Sequence, residues 1–284
     1  MINKEQSAIK IIHMAADDAA SRDSKLELCY SGGKDSDVVR VLSVLAGTTV
    51  DIIYKDTTID FPGTHAHVLK NGGRILRPQK TFLQHLSRRG LPSRWGRWCC
   101  EEFKEYKVHE VALTGVRREE SVARRKRYTE PNRCVTYGSH NSQWCSHWYP
   151  ILDWTTADIA QFVSYWGIKL HPHYYNESGV FVPSRRLGCI GCPLRSDHGV
   201  GEFKEFPKFL LSWYRHLCVW FANTKGSAPS VFPSAAHLLY FHLYYTNMKR
   251  WRADGWDKVE ELGILTVLGM EFGVDFGGGL LMGR

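Results

Sequence analysis

Apolar residues in the first part of the chain recur with two different spacings. A helical spacing of apolar residues among polar neighbours predicts an amphipathic helix over residues 4–20. Further helices are predicted at residues 37–45, 63–71 and 81–88. Short apolar runs typical of buried strands occur at residues 26–30, 50–54, 74–76 and 110–114. Because strands and helices alternate, this part is predicted to form a parallel sheet of crossover units.

The pattern changes after residue 125. Residues 127–148 are polar and aromatic, and they are predicted to be irregular. A helix is predicted over residues 155–166, where Thr155 and Asp158 have the spacing of a capping box. Residues 168–200 are rich in proline, glycine and histidine and are predicted to form a loop that contains two cysteines.

The C-terminal part is predicted to be helical and rich in tryptophan and tyrosine over residues 202–252. The tail from Gly273 contains a run of glycines and is predicted to be loosely held. The sequence therefore predicts an α/β fold, a Rossmann-like parallel sheet with flanking helices, over residues 1–200. A helical C-terminal extension is predicted over residues 201–284.

Composition narrows the function classes only slightly. The 284 residues are 43% hydrophobic and 23% charged, which is ordinary for a globular protein. No run of 18 apolar residues predicts a membrane-spanning helix, and the first residues do not have the pattern of a signal peptide, so a cytoplasmic protein is expected. The net charge of +8 is typical of proteins that bind polyanions such as nucleotides, phosphosulfates or nucleic acid. A homo-oligomer is expected.

One hexapeptide between a predicted strand and a predicted helix has the features of a phosphate-binding loop. Two glycines allow a tight turn and close approach of an anion, and the helix offers its free amides. Serine hydroxyls and Lys34 add donors and charge, whereas Asp35 is expected either to hold Mg²⁺ or to cap the helix. The candidate ligands of the phosphates are Ser31, Gly32, Gly33, Lys34, Asp35 and Ser36.

An arginine-rich segment follows the strand predicted at 110–114. Guanidinium groups bind phosphate or sulfate bidentately, so Arg117, Arg118 and Arg124 are candidate ligands, with Ser121 as a hydroxyl donor. The alternative for these arginines is a solvated basic helix face. Residues 125–127 are predicted to be either such a face or a nucleic-acid contact. Separately, Asp56 follows the second strand, and it is predicted either to contact ribose or adenine or to have a turn or capping role.

Four ordered motifs resemble known families. Ser31–Ser36 resembles the PP-loop of ATP pyrophosphatases, in the adenine nucleotide alpha-hydrolase superfamily, which split ATP between the α and β phosphates. Residues 56–64, 114–124 and 149–155 resemble, in the same order, the Phe-Pro-Glu-Thr, arginine and Asp-Trp-Thr segments of the PAPS reductase family. The resemblance covers roughly residues 25–195. It implies an adenine nucleotide as ligand, ATP or PAPS/APS, and catalytic roles for Lys34, Asp35, Arg117 and Arg124.

The cysteines suggest a second site. Two close pairs of thiols match the needs of a 4Fe–4S cluster or a structural Zn²⁺, and buried cysteines without a metal are the alternative. The resemblance to APS reductases favours the iron–sulfur cluster, with Arg97, Arg185 and Arg186 offsetting its negative charge. Cys29 is predicted to be a core residue, and Cys145 is a candidate reactive thiol. The predicted metal ligands are Cys99, Cys100, Cys189 and Cys192.

The chain also departs from the reductase pattern. Sulfonucleotide reductases resemble each other in a C-terminal Glu-Cys-Gly-x-His segment, but no cysteine follows Cys218 here, and the loop has the unmodified form typical of ATP-splitting relatives. The chain in this respect resembles the reductase-like proteins of DNA phosphorothioation.

Three hypotheses result. The first is ATP-dependent adenylyl activation followed by transfer of sulfur from a donor. The second is a PAPS or APS reductase that uses a thioredoxin-like reductant. The third is a non-catalytic component of a phage or mobile-element system that binds a nucleotide or DNA.

Overall fold

The computed structural model describes residues 2–94, 96–137, 143–224 and 231–277. Within them one mostly parallel sheet is flanked by helices. The strands are β1 Leu26–Cys29, β2 Asp51–Lys55, β3 Arg74–Leu76, β4 Val111–Leu113, β5 Asn132–Tyr137 and β6 Gln143–Trp148. The helices are α1 Ile2–Ser21, α2 Lys34–Leu45, α3 Thr64–Lys70, α4 Phe82–Arg89, α5 Trp98–Phe103, α6 Val122–Arg127, α7 Thr156–Tyr165, α8 Val200–Glu205, α9 Pro207–Asn223, α10 Ala235–Tyr244, α11 Met248–Ala253 and α12 Glu261–Phe272.

The strand order is β3-β2-β1-β4-β6-β5. All neighbouring strands are parallel except β5, which runs antiparallel to β6. This arrangement, with its helical C-terminal part, confirms the predicted α/β fold class. The predicted helix over 155–166 is also confirmed, because Thr155 and Asp158 form the expected capping box at the start of α7.

Several elements were not predicted from the sequence, among them β5, β6 and α12. Residues 127–148 are not irregular throughout, because β5 and β6 lie within them. β5 is an edge strand with mostly exposed positions, so ladder hydrogen bonds form it without an apolar run. The helix α12 also lacks a clear amphipathic period in its sequence, although Ile264, Leu268 and Phe272 are buried.

The chain divides into two compact units. The first comprises residues 1–56, 60–78 and 100–188 and contains the whole sheet. Its core lies between the sheet and helices α1, α2 and α7, where Leu28, Val38, Ile12 and Phe162 are fully buried. Burial of these side chains stabilises this unit by about 1.5–3 kcal/mol each.

The second unit comprises residues 57–59, 79–99 and 189–284. Its interior is aromatic, because Trp213 stacks on Phe82 at 4.8 Å and meets Phe203 edge-on at 5.2 Å between ring centroids. The division at residue 200 stays a prediction. No helix in the described part of the chain is long and apolar enough to cross a membrane. The predicted loose tail lies, from residue 278 onward, outside the described residues.

Candidate functional site

The sheet reverses its strand order at β1 and β4, and a cavity opens there. From β1 the chain proceeds to β2 and β3 on one side, whereas β4 pairs with β1 on the other side. Open α/β sheets bind ligands at such a switch point, beyond the carboxyl ends of the strands. The phosphate loop follows β1 and the arginine segment follows β4, so both border a cavity of about 250 Å³. Its lining includes Ser31, Gly33, Lys34, Asp35, Ser36, Gly115, Glu120, Arg124, Tyr174, Arg186 and Leu187.

The phosphate loop is held in shape by its own hydrogen bonds. The Ser36 hydroxyl donates to the Gly33 carbonyl at 2.8 Å, and the Gly33 amide donates to the Ser31 hydroxyl at 3.3 Å. Gly32 has a φ of +71°, a conformation that favours glycine. Gly33 is the N-cap residue of α2, so the first turn of this helix points its amides toward the cavity.

Close packing joins the arginine segment to this loop. A Cβ atom on Gly115 would lie 3.0 Å from the Asp35 carbonyl carbon and 3.1 Å from the Ser36 nitrogen. Both contacts are with backbone, which cannot move aside like a flexible side chain. Glycine at position 115 therefore allows the segment after β4 to approach the start of α2.

Lys34 and Asp35 form a partly buried ionic network with Arg117. The Lys34 Nζ lies 3.3 Å from the Asp35 carboxylate, and the Arg117 Nε donates to the same carboxylate at 2.7 Å. Arg117 also donates to Glu119 at 2.8 Å and to the Trp154 carbonyl at 3.1 Å. Burial lowers the pKa of the Lys34 ammonium, and the Asp35 carboxylate partly offsets this effect.

A second ionic group lies across the cavity. Glu120 accepts a hydrogen bond from Arg124, and Arg186 donates to its other carboxylate oxygen at 3.4 Å. Ser121 caps α6 by accepting from the Arg124 amide at 3.1 Å. Among the described lining residues, three cationic side chains thus face two carboxylates, which leaves the cavity positive for an anionic ligand.

Five of the predicted ligands do not line the cavity: Gly32, Asp56, Arg117, Arg118 and Ser121. Arg118 donates to Asp153 and to the Tyr128 carbonyl, so its guanidinium holds the chain after α6 and does not line the cavity. Asp56 is buried at the end of β2, where its carboxylate lies 3.2 Å from His65. Asp56 also does not line this cavity.

Seven lining residues were not predicted as ligands: Cys29, Gly115, Val116, Glu120, Tyr174, Arg186 and Leu187. Tyr174 and Leu187 lie in the segment predicted as a loop, and no local motif in the sequence marks them. Arg186 was predicted to offset the charge of a metal cluster, and it borders this cavity. Glu120 belongs to the arginine segment, and its three-residue spacing from Arg117 is the signal that could have identified it. Its carboxylate accepts from the Arg117 amide at 3.1 Å.

A buried acid supports α2 from behind the loop. Asp37 is fully buried and accepts from the Tyr30 hydroxyl at 2.5 Å. Its other oxygen lies 2.9 Å from the His67 Nε2. The His171 ring packs edge-on against His67 at 5.7 Å, and its Nδ1 accepts from the His173 amide. Burial lowers the pKa of His171 to about 4, with further lowering by His67 and His173, so this ring is neutral at pH 7.

Two cysteines have unexpected places. Cys29, predicted to be a core residue, borders the cavity and donates to Glu27 at 3.3 Å. Cys145 was the candidate reactive thiol, but its side chain is buried and donates to the His109 carbonyl. Burial raises the pKa of the Cys145 thiol to about 12, which disfavours the reactive thiolate.

The predicted metal ligands lie in two separate segments. Cys99 and Cys100 belong to α5, and Cys189 and Cys192 flank a turn at Gly191, which has a φ of +77°. The Cys189 thiol donates to the Thr57 hydroxyl at 3.5 Å. Soft thiolate ligands suit an iron–sulfur cluster or zinc in chemistry. Among the described residues, no group of three or more cysteine, histidine or acidic side chains is arranged to hold a metal ion.

One curated protein matches a large part of this chain. An uncharacterized protein of Methanocaldococcus jannaschii is 26% identical over 223 residues, which cover 74% of this chain and 51% of the relative. The chain therefore spans about half the length of this curated relative.

Among solved structures, Candida glabrata FMN adenylyltransferase with FMN and an ATP analogue matches at 14% identity and a TM-score of 0.38. The match covers 58% of this chain and 54% of that one. A second structure of this enzyme matches at 17% identity and a TM-score of 0.36, and covers 56% and 53%.

The family model of the phosphoadenosine phosphosulfate reductase domain matches residues 25–195. This stretch includes more than half of the chain, the phosphate loop and the arginine segment. The chain therefore belongs to the phosphoadenosine phosphosulfate reductase domain family.

Proposed function

We propose that this protein is a PP-loop enzyme that binds ATP at the switch point and cleaves it between the α and β phosphates. The observation that carries the proposal is the unmodified Ser31–Ser36 loop, which opens α2 beside a cavity with a positive excess of charge. Membership of a nucleotide-binding family supports the ligand class. ATP carries three phosphates, and cations with free helix amides are the groups that bind them.

Each side of the cavity has its own role in this proposal. Lys34 and the first amides of α2 would bind phosphate oxygens of the leaving pyrophosphate. Arg124 and Arg186 are paired with Glu120 and would turn toward the added negative charge. Asp35 would share Mg²⁺ with phosphate oxygens, the ligands that this ion prefers. Mg²⁺ would supply charge neutralisation on the phosphates.

The reaction is an adenylyl transfer. An oxygen of the acceptor attacks the α-phosphorus, the bond from this phosphorus to the bridging oxygen breaks, and pyrophosphate leaves with the electron pair. The acceptor then carries AMP. A sulfide-class donor displaces AMP in the second step: its sulfur forms the carbon–sulfur or phosphorus–sulfur bond, the bond to the AMP oxygen breaks, and AMP leaves with the electron pair. Arg117 holds Asp35 at 2.7 Å and would keep its carboxylate oriented during the first step.

The test measures pyrophosphate release from ATP, by the purified protein with Mg²⁺ and candidate acceptors. Release above the level of the protein-free control, and its loss in a Lys34→Ala/Asp35→Ala variant, are the expected results. ATP that binds without any release would contradict the proposal and favour the non-catalytic hypothesis.

A sulfonucleotide reductase is the second candidate, and Cys29 is the observation that favours it. Its thiol borders the cavity, 3.3 Å from Glu27. The Cys29 sulfur would attack the sulfate sulfur of PAPS or APS, Glu27 would take the thiol proton, and the adenosine phosphate would leave with the bridging oxygen. A dithiol of the thioredoxin class would then reduce the resulting thiosulfonate and release sulfite.

The burial of the Cys29 thiol makes the reductase mechanism the second candidate. Burial disfavours the thiolate. It raises the pKa of the Cys29 thiol well above the usual value, and the Glu27 carboxylate raises it further. Sulfite formation from PAPS or APS with a dithiol, and its loss in Cys29→Ser, would reverse the order. Absence of sulfite with both substrates would exclude the candidate.

We further propose, from the spacing of Cys99, Cys100, Cys189 and Cys192, that these residues bind a 4Fe–4S cluster, with Zn²⁺ as the alternative. No step of the reaction above depends on it. Anaerobic purification with iron, sulfide and zinc analysis is the test. About four iron and four sulfide per chain are expected, whereas a colourless protein without iron would contradict the cluster.

A further inference from the structure

The Tyr174 hydroxyl lies at the N-terminus of α2. It accepts a hydrogen bond from the Lys34 amide at 3.1 Å and another from the Leu187 amide at 3.3 Å. The side chain is buried, with 2% of its surface exposed. One phenol oxygen therefore connects the phosphate loop to the segment that contains Leu187.

This position is the one expected for a phosphate oxygen. The first amides of a helix point at the anion that the helix binds. In the described loop, none of the hydrogen bonds uses the amides of Asp35 or Ser36, whereas the Lys34 amide is taken by the phenol. A charged phosphate oxygen is a stronger acceptor than a neutral phenol, so it would compete successfully for this amide.

The surroundings of the phenol support the comparison with a phosphate. A Cβ atom on Gly33 would lie 3.3 Å from the Tyr174 oxygen, so glycine allows this close approach. The Lys34 Nζ lies 5.5 Å from the centroid of the Tyr174 ring, at cation–π distance. The phenol thus has the two partners that a nucleotide phosphate would take, a helix amide and the lysine ammonium.

We propose that the Tyr174 hydroxyl occupies the place of a nucleotide phosphate oxygen and that the phosphate displaces it from the Lys34 amide. Displacement also removes the acceptor of the Leu187 amide and loosens the segment that contains Arg186. Arg186 can then leave Glu120 and turn to the phosphates. The inference rests on the proposed function, because it assumes that the cavity binds a nucleotide.

The first experiment compares Tyr174→Phe with wild type. Phenylalanine keeps the ring and leaves the Lys34 amide without an acceptor until a phosphate provides one. Affinity for α,β-methylene-ATP is therefore expected to increase about fivefold to tenfold, measured by titration calorimetry. Tyr175→Phe is the matched control, because its hydroxyl accepts only the Leu170 amide, at 3.2 Å, and its affinity should stay within about twofold of wild type. Unchanged or weaker binding by Tyr174→Phe would overturn the inference.

The second experiment uses only the wild-type chain, so it does not depend on the folding of a variant. Hydrogen exchange of the Leu187 amide is expected to become faster on saturation with α,β-methylene-ATP, while the Lys34 amide stays protected. Equal or greater protection of Leu187 would overturn the inference.

The outcomes separate this inference from the proposed function. Normal nucleotide binding with unchanged affinity in Tyr174→Phe contradicts the Tyr174 inference alone. Binding of inorganic pyrophosphate but of no nucleotide contradicts the proposed function alone, and the same variants then test Tyr174 with pyrophosphate as the probe. Binding of neither ligand overturns both.

Discussion

The phosphate loop and the cysteine segments both have strong sequence motifs, but the two differ in how their residues come together. The six residues of the loop are contiguous, and their own hydrogen bonds set most of their geometry. The cysteine pairs are about 90 residues apart along the chain, and the described residues contain no group of three or more side chains arranged to hold a metal ion. A contiguous motif at a strand–helix junction can specify its structure locally, whereas a divided motif depends on every element between its parts.

The arginine segment is intermediate between these two cases. It is distant from the loop in sequence, yet β1 and β4 are neighbours, so Gly115 and Arg124 reach the cavity. Within the same segment, Arg118 turns to Asp153. The pairing of β1 with β4 therefore brings the arginine segment to the cavity. The turn after β4 then decides which side chains of the segment line the cavity.

Removal of the ionic pair in the loop is expected to have the largest effect. Lys34→Ala/Asp35→Ala keeps the net charge of the loop constant, so any loss reports the specific contacts and not the overall charge. Nucleotide affinity should fall at least about 100-fold, as expected for loss of charge-assisted hydrogen bonds. Lys126→Ala, on the exposed face of α6, is the control and should change affinity by less than about twofold. Titration calorimetry measures both, and unchanged affinity in the double variant would contradict the loop assignment.

The pH dependence of the free energy of unfolding tests the role of His171, which is buried behind the loop. The pKa of His171 is about 4 in the folded protein against 6.5 ordinarily, so the folded state binds fewer protons between these values. Stability should therefore fall as pH drops from 6.5, by about 2 kcal/mol from this residue at pH 5. Urea unfolding at pH 7 and pH 5 measures this loss.

His171→Gln should remove that part of the pH dependence, because a glutamine oxygen can still accept from the His173 amide. His147 has a similarly lowered pKa, also about 4, and retains its own contribution in this variant. An equal pH dependence in wild type and variant would contradict the role given to His171.

A smaller effect separates two arginines of one segment. Arg124→Ala should weaken nucleotide binding about tenfold with little change in the melting temperature, because Arg124 borders the cavity. Arg118→Ala should lower the melting temperature by a few degrees and leave nucleotide affinity within about twofold, because its partners are Asp153 and two backbone carbonyls. Titration calorimetry and thermal melts measure the two effects. A loss of nucleotide affinity in Arg118→Ala but not in Arg124→Ala would indicate that Arg118 binds the nucleotide.

The smallest effect is expected from the cysteines. Cys189→Ser/Cys192→Ser should leave nucleotide affinity within about twofold, because neither residue lines the cavity. Iron analysis of the same variant tests the proposed cluster independently, and metal content should fall to background. A large loss of nucleotide affinity in a folded variant would show that the two predicted sites are energetically coupled.

Particular residues show how far the sequence could be interpreted. Helical patterns predicted α1 and α2 closely, and short apolar runs predicted the first three strands, because these strands lie within the sheet and bury apolar side chains. β5 was missed, since an edge strand needs hydrogen bonds more than an apolar face, and the polar and aromatic sequence of its neighbour β6 also has no apolar run. The cavity residues of the loop could be named from their order alone. Tyr174 could not, because a tyrosine in a loop has no local pattern that indicates a distant helix amide.

The sequence by itself determined the family, the fold class and the phosphate loop, because these depend on contiguous residues and short-range periodicity. The tertiary structure decided which residues share the cavity. Adjacent pairing of β1 and β4 brings Arg124 to the loop, and the turn after β4 turns Arg118 away. The tertiary structure also brings the Tyr174 hydroxyl to the Lys34 amide, across about 140 residues of chain. Such contacts between distant residues depend on strand order and side-chain packing, which cannot be inferred from any local stretch of sequence.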